Sequence, residues 1–132
     1  MPALSLSHYN LRGTPQQLLE LAQFYQRYVG LQDGPRPPLS NAGYWLYAGD
    51  QAVLHLSPNR AGESRQSALK SSFDHTAFHC SERAAMCARL SQDGIVWRAA
   101  EIAASPGFAT QWQVFFSDPL GNGIELNFAA DD

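Results

Sequence analysis

The chain has 132 residues, enough for one compact domain with its own core. Hydrophobic residues make up 45% and charged residues 16%, a globular composition that sets aside a disordered or low-complexity chain. The formal net charge is -3 with no basic stripe, which argues against nucleic acid as the main partner. No apolar run approaches the roughly 20 residues of a membrane span, so no membrane partner is expected.

The opening Met-Pro-Ala-Leu-Ser lacks the charged and apolar regions of a secretory signal. Cys80 and Cys87 are too few to define a disulfide framework, and the plain expectation is reduced thiols in a cytoplasmic protein.

In chain order, residues 4–11 alternate and predict a strand, with Leu6, His8, Asn10 and Arg12 on one face. Thr14-Pro15 predicts a helix start, a capping hydroxyl followed by proline at the first helical position. Leu18, Leu21, Ala22, Tyr25, Tyr28 and Val29 then recur at helical spacing, and Gly30 ends the run in a left-handed cap. Residues 33–38 carry three prolines. They are excluded from a central strand for want of N–H donors, so they predict a rim loop. Residues 44–47 and 52–56 flank Gly49-Asp50 and predict a β-hairpin.

Residues 57–72 change character, with Pro58, Asn59, Arg60, Gly62, Arg65 and Lys70, and read as a linker between halves. Its positive charges read more simply as solvated surface than as an anion site. The second half opens with a strand at residues 73–80. Ser81 then caps a helix from Glu82 to about Asp93, ended by Gly94. Residues 95–97 predict a short strand, 111–116 another, 118–123 a turn and 124–128 the closing strand.

Each half therefore reads as strand, helix, then three strands. His8, His55, His75 and Glu125 each sit in a short apolar strand-like run. They form two pairs of similar separation, His8 with His55 and His75 with Glu125. Imidazole and carboxylate suit a borderline divalent metal, so the repeated pair points to two similar halves giving two ligands each to one site.

The run Phe-Phe-Ser-Asp-Pro-Leu-Gly-Asn-Gly-Ile-Glu-Leu at 115–126 is the most specific motif of the chain. Phe-Asp-His-Thr-Ala-Phe at 73–78, the opening His8 strand, and Phe24-Tyr25 followed by Val29-Gly30-Leu31 accompany it. Together these resemble the vicinal oxygen chelate superfamily, the group of glyoxalase I, extradiol dioxygenases, fosfomycin-resistance enzymes and bleomycin-resistance proteins. The resemblance covers nearly the whole chain. It implies an α+β, glyoxalase-like fold in which two βαβββ modules form a metal-centred cup. On that reading residues 1–132 are a single domain, with module one at 1–57, a linker at 58–72 and module two at 73–132.

The resemblance also implies one divalent ion (Ni, Zn, Fe, Mn or Co), held by His8, His55, His75 and Glu125 from the first and fourth strands of each module. It implies a small-molecule substrate and a homodimer. Glyoxalase I has glutamate on the fourth strand of both modules, whereas here one of those positions is His55. The extradiol dioxygenases use two histidines and one carboxylate, at the positions of His8, His75 and Glu125.

Three functions follow as expectations. The first is a metal-dependent lyase or isomerase of glyoxalase type acting on an oxygen-chelating substrate, with Glu125 as base and His55 as the alternative base or fourth ligand. The second is an Fe(II) ring-cleavage dioxygenase with His8, His75 and Glu125 as facial triad. The third is a non-catalytic drug-binding protein. Arg12, Asn10, His79, Tyr47 and Trp112 are the candidate substrate contacts. In glyoxalase I an arginine at the position of Arg12 helps hold the glutathione carboxylate. The plainer readings are an ion pair of Glu125 with Arg12 or Arg98, a strand-end histidine at 79, and core packing for the aromatics.

Overall fold

The computed structural model describes residues 3–39, 42–65 and 71–132, and among these the element order strand, helix, strand, strand, strand occurs twice. Lys70, placed in the linker by sequence, lies outside the described residues. The chain divides into two compact units, Met1–Gln66 and Ser67–Asp132. The α+β class and the pair of βαβββ modules are as expected from the sequence.

In the first unit the elements are β1 (Tyr9–Gly13), α1 (Pro15–Tyr28), β2 (Gln32–Gly34), β3 (Tyr44–Ala48) and β4 (Gln51–Pro58). They form one sheet of order β1-β4-β3-β2, with β1 parallel to β4 and the other pairs antiparallel. Thr14 caps α1 in a full capping box. Its hydroxyl accepts from the Gln17 amide, and the Gln17 side chain accepts from the Thr14 amide. The predicted helical stripe is the buried one: Leu18, Leu21, Ala22, Tyr25, Tyr28 and Val29 are all buried. Leu46, Leu54 and Leu56 are buried too, on alternate positions of β3 and β4. Alternation therefore turns Trp45, His55 and Ser57 to the opposite face of the sheet.

Boundaries in this unit differ from the sequence reading, and β4 runs on through Ser57 and Pro58, which read as linker. The first strand begins at Tyr9, so His8 stands one residue ahead of it. There the partner strand is just leaving its turn, and the Gln51 side-chain amide donates to the Leu6 and Ser7 carbonyls in place of a backbone ladder. Asp33 and Gly34, expected in a loop, belong to β2. Because β2 is an edge strand, it can stop where Pro35 ends the supply of N–H donors.

In the second unit the elements are β5 (His75–Cys80), α2 (Arg83–Gln92), β6 (Arg98–Ile102), β7 (Gln111–Ser117) and β8 (Gly123–Ala129). The sheet order is β5-β8-β7-β6, again with the first and last strands parallel. Val114, Phe116, Ile124, Leu126 and Phe128 bury one face. Glu125 and Asn127 alternate onto the other, beside His75, His79, Gln113 and Phe115.

The turn before β8 is built on Asp118, which is 5% exposed. Its carboxylate accepts from the Leu120 amide, the Asn122 amide and the Asn122 side chain, each at 2.9 Å. Gly123 follows, where a Cβ would run into the Asp74 carbonyl. The motif at 115–126 is thus a turn that delivers Glu125 beside β5.

The start of α2 also departs from expectation. Ser81 does not cap it. The N-cap is Glu82 in the left-handed region (φ 63), with no side-chain capping bond. Asp132 supplies the missing acceptor, its Oδ1 taking the Arg83 amide at 2.8 Å. The strand expected at 95–97 is absent and β6 starts at Arg98. The Ile95 amide donates back to the Leu90 carbonyl, and the Trp97 indole donates to Ser91 Oγ, so these residues belong to the helix exit.

Candidate functional site

The second unit gathers a polar chain around Glu125. This carboxylate is 6% exposed, an expensive position without partners. Gln113 Nε2 donates to its Oε1 at 2.6 Å, and His75 Nε2 stands 2.8 Å from its Oε2. On the other side of the imidazole, Nδ1 is 2.7 Å from Asp74 Oδ2. The order Asp74, His75, Glu125, Gln113 is set by strand register, since β8 lies between β5 and β7.

Phe115 pairs with Glu125 across β7 and β8, and its ring meets His75 edge to face with centroids 6.2 Å apart. Arg98 pairs with Phe115 across β6 and β7, and its Cζ lies 4.0 Å from the Phe115 ring centroid. A cleft of about 1050 Å³ opens in this unit beside His75, Phe115 and Arg98.

The first unit gathers a different arrangement. His55 is sandwiched between two rings. His8 stacks on one side at 3.7 Å and Trp45 on the other at 3.9 Å, both inclined by 12°. Trp45 is the cross-strand partner of His55 on β3, while His8 reaches in from the segment ahead of β1. Stacking covers the faces of the imidazole and leaves the nitrogens, which lie in the ring plane, at its edge. Burial lowers the His55 pKa, His8 and Arg36 lower it further, and a hydrogen bond with the Ala52 backbone opposes them. The balance favours the neutral, lone-pair-bearing ring.

The other residues singled out by sequence divide. Asn10 Nδ2 donates to Ser57 Oγ at 2.8 Å, and Arg12 Nη1 donates to the Pro58 carbonyl at 2.8 Å, so both tie β1 to the end of β4. The Tyr47 hydroxyl donates to the Pro35 carbonyl and holds the proline-rich loop. His79 is exposed on the His75 face, opposite Asn127. Trp112 lies on the opposite face of its sheet from Glu125, under the Arg83 guanidinium at 4.4 Å. Glu125 is held by His75 and Gln113, in place of the ion pair with Arg12 or Arg98 that the plainer reading offered.

Three contributors were not singled out as site residues by sequence. Gln113 alternates with Trp112 and Val114, which was signal enough to place it on the Phe115 face. Asp74 precedes His75 directly, and a carboxylate next to an imidazole in sequence is a readable hint. Asn127 Oδ1, two residues after Glu125, is buried without a hydrogen-bond partner. Burial pushes the Cys80 thiol up to about 11 and raises that of Cys87 as well, which favours the protonated thiol at both.

No family model matches the chain, and no curated protein matches it in sequence. Solved structures do match in shape. The antibiotic binding protein TnmS3 from Streptomyces sp. CB03234 superposes with a TM-score of 0.64 at 20% identity, over 98% of this chain and 99% of that one. A lactoylglutathione lyase from Agrobacterium tumefaciens gives 0.61 at 18% identity, over 97% and 96%. An integron cassette protein from the mobile metagenome of V. cholerae gives 0.68 at 16% identity, over 97% of each chain. The chain has the glyoxalase-like, vicinal oxygen chelate fold.

Within this glyoxalase-like fold, His75 and Glu125 fall on the first and last strands of the second unit and His55 on the last strand of the first. The donor set of the second unit fits a divalent ion. Two ligand atoms each about 2.0–2.2 Å from one tetrahedral ion stand roughly 3.4 Å apart, so the His75 Nε2 and Glu125 Oε2 atoms, now at a hydrogen-bond distance of 2.8 Å, would open slightly to hold one. Asp74 behind the imidazole and Gln113 behind the carboxylate are the supports that orient such ligands. Within either unit alone, the described residues gather no set of three or more His, Cys, Asp or Glu groups fit for a metal ion.

Proposed function

We propose that this glyoxalase-like protein is a metal-dependent lyase or isomerase that moves a proton on a small oxygen-chelating substrate. The observation that carries the reading is the buried Glu125 carboxylate paired with the solvent-facing His75 imidazole, with a support behind each member. His75 and Glu125 are the proposed ligands. Two protein ligands are fewer than the three usual at a catalytic zinc site, and His8 and His55 are proposed for the remainder. When bound, a divalent ion would act as a Lewis acid on the substrate oxygen and lower the cost of removing a proton from the adjacent carbon.

The chain's own groups supply the rest. Gln113 keeps Glu125 Oε1 fixed, which leaves Oε2 turned toward His75 and the substrate side. Glu125 is the base for the carbon-bound proton. Its Oε2, beside His75, is the atom that would take the proton from one carbon and return it to the neighbouring one. His55 is the alternative base: its lowered pKa keeps the ring unprotonated and able to accept. Asp74 accepts from His75 Nδ1 and fixes the ring orientation.

The test is proton exchange. Metal-loaded protein is mixed with the thiol adduct of a 2-oxoaldehyde in D2O, and exchange at the carbon is followed by NMR. Exchange that disappears in Glu125→Gln supports the reading. Absence of exchange, with oxygen consumed on adding catechol to the Fe(II) form, points to ring cleavage instead.

The likeness to an antibiotic binding protein favours a second reading, capture of a small molecule without chemistry. On that reading ligand binding survives both removal of metal and the change Glu125→Ala.

A further inference from the structure

Arg98 has no place in the chemistry above, yet it stands on the wall of the same cleft as His75. It opens β6, the edge strand, and shares a face with Phe115 and Glu125 in one row across the sheet. Two strand spacings separate Arg98 from Glu125, roughly 10 Å between backbones. Its guanidinium Cζ lies over the Phe115 ring, 4.0 Å from the centroid, a contact that restrains the fork. No acidic side chain among the described residues forms a salt bridge with it. Among the described residues the charge is therefore unneutralised, and a guanidinium suits a planar oxyanion.

Phe115 links this cation to His75. One side of the ring carries Arg98 and its neighbourhood on the other strand side is the His75 imidazole, met edge to face. Gly121 and Gly123 also line the cleft, and at Gly123 a Cβ would meet the backbone of Asp74. The cleft is thus lined by a cation, an aromatic ring and the His75 imidazole, whose Nε2 contacts the Glu125 carboxylate.

We propose that Arg98 is the anion-recognition residue of this cleft, and that the substrate carries a carboxylate on a flat apolar body, about one ring away from its chelating oxygens. This rests on the metal-site reading for the chelating end alone. The carboxylate end stands on Arg98 and Phe115.

Three probes separate the ends by calorimetry: 3,4-dihydroxybenzoate carries both, catechol only the vicinal oxygens, and benzoate only the carboxylate. Each is titrated into wild type, Arg98→Gln and Arg98→Lys, with metal and after chelation. The proposal predicts that 3,4-dihydroxybenzoate binds wild type at least about tenfold more tightly than catechol. Arg98→Gln removes that difference and weakens benzoate, while catechol binding changes by less than about twofold. Arg98→Lys restores part of it, as a point charge without the fork. If the metal reading alone fails, chelation leaves catechol binding unchanged while the Arg98 effect on benzoate persists. The proposal is overturned if Arg98→Gln leaves the ratio of 3,4-dihydroxybenzoate to catechol intact, or if no carboxylate probe binds wild type. In either case Arg98 is a solvated charge that protects an edge strand.

Discussion

His75 Nε2 and Glu125 Oε2 stand 2.8 Å apart on adjacent parallel strands, and each is braced from behind, by Asp74 at 2.7 Å and by Gln113 at 2.6 Å. Bare, the pair is a buried carboxylate held by hydrogen bonds. On the metal reading, the same two atoms would be neighbouring ligands once the Nε2 proton is displaced.

The brace on Glu125 can be removed separately. Gln113→Leu leaves Glu125 Oε1 buried without its donor, which should cost about 1–3 kcal/mol of stability in urea denaturation. Metal affinity should fall about 10–100-fold, as for other partners that orient a ligand. A titration with Zn²⁺ on folded variant protein reads the second effect. Affinity equal to wild type would show that Gln113 serves packing only.

The sandwiched imidazole gives a pH dependence whose sign follows from its lowered pKa. Burial is the largest cause, then His8. Between the folded value and the ordinary 6.5, the unfolded chain binds more protons than the folded one, so stability rises with pH. The contribution of His55 is intact above about pH 6.5 and is lost as pH falls through the folded value. Denaturation midpoints of wild type and His55→Gln, compared at about pH 5.5 and about pH 7.5, should show the wild-type advantage shrinking at the lower pH. An advantage that grows on acidification would contradict the burial argument.

The turn before β8 should be the stability hot spot of the second unit. Asp118→Ala removes an acceptor used by three donors and leaves the Leu120 and Asn122 amides unpaired. A loss of more than about 2 kcal/mol is expected in urea denaturation. Asp118→Asn, which keeps one carbonyl oxygen, should lose less.

The sequence carried the repeat because its elements are local. The Thr14-Pro15 cap, the stripe from Leu18 to Val29 and the Gly49-Asp50 hairpin each depend on residues a few positions apart, and each formed as read. What it missed depends on distant partners. Asp132 caps a helix that begins at Arg83, and Gln51 stands in for a strand ladder at Leu6 and Ser7. Trp112 was chosen as an aromatic, but alternation against Gln113 and Glu125 puts it on the other face. Glu125 and His75 were legible as charged or polar interruptions of apolar strands. Their supports were not, because Gln113 is an ordinary polar strand residue until β7 is placed against β8.

The central claim is that His75 and Glu125 hold a divalent ion, and metal content tests it most directly. Protein purified without a histidine tag is titrated with Zn²⁺, Ni²⁺, Co²⁺, Mn²⁺ and Fe²⁺, desalted and analysed by mass spectrometry. The account predicts about one equivalent per chain in wild type, with near-complete loss in both His75→Ala and Glu125→Ala. Wild-type protein that retains no ion, or a Glu125→Ala protein that retains as much as wild type, would contradict it.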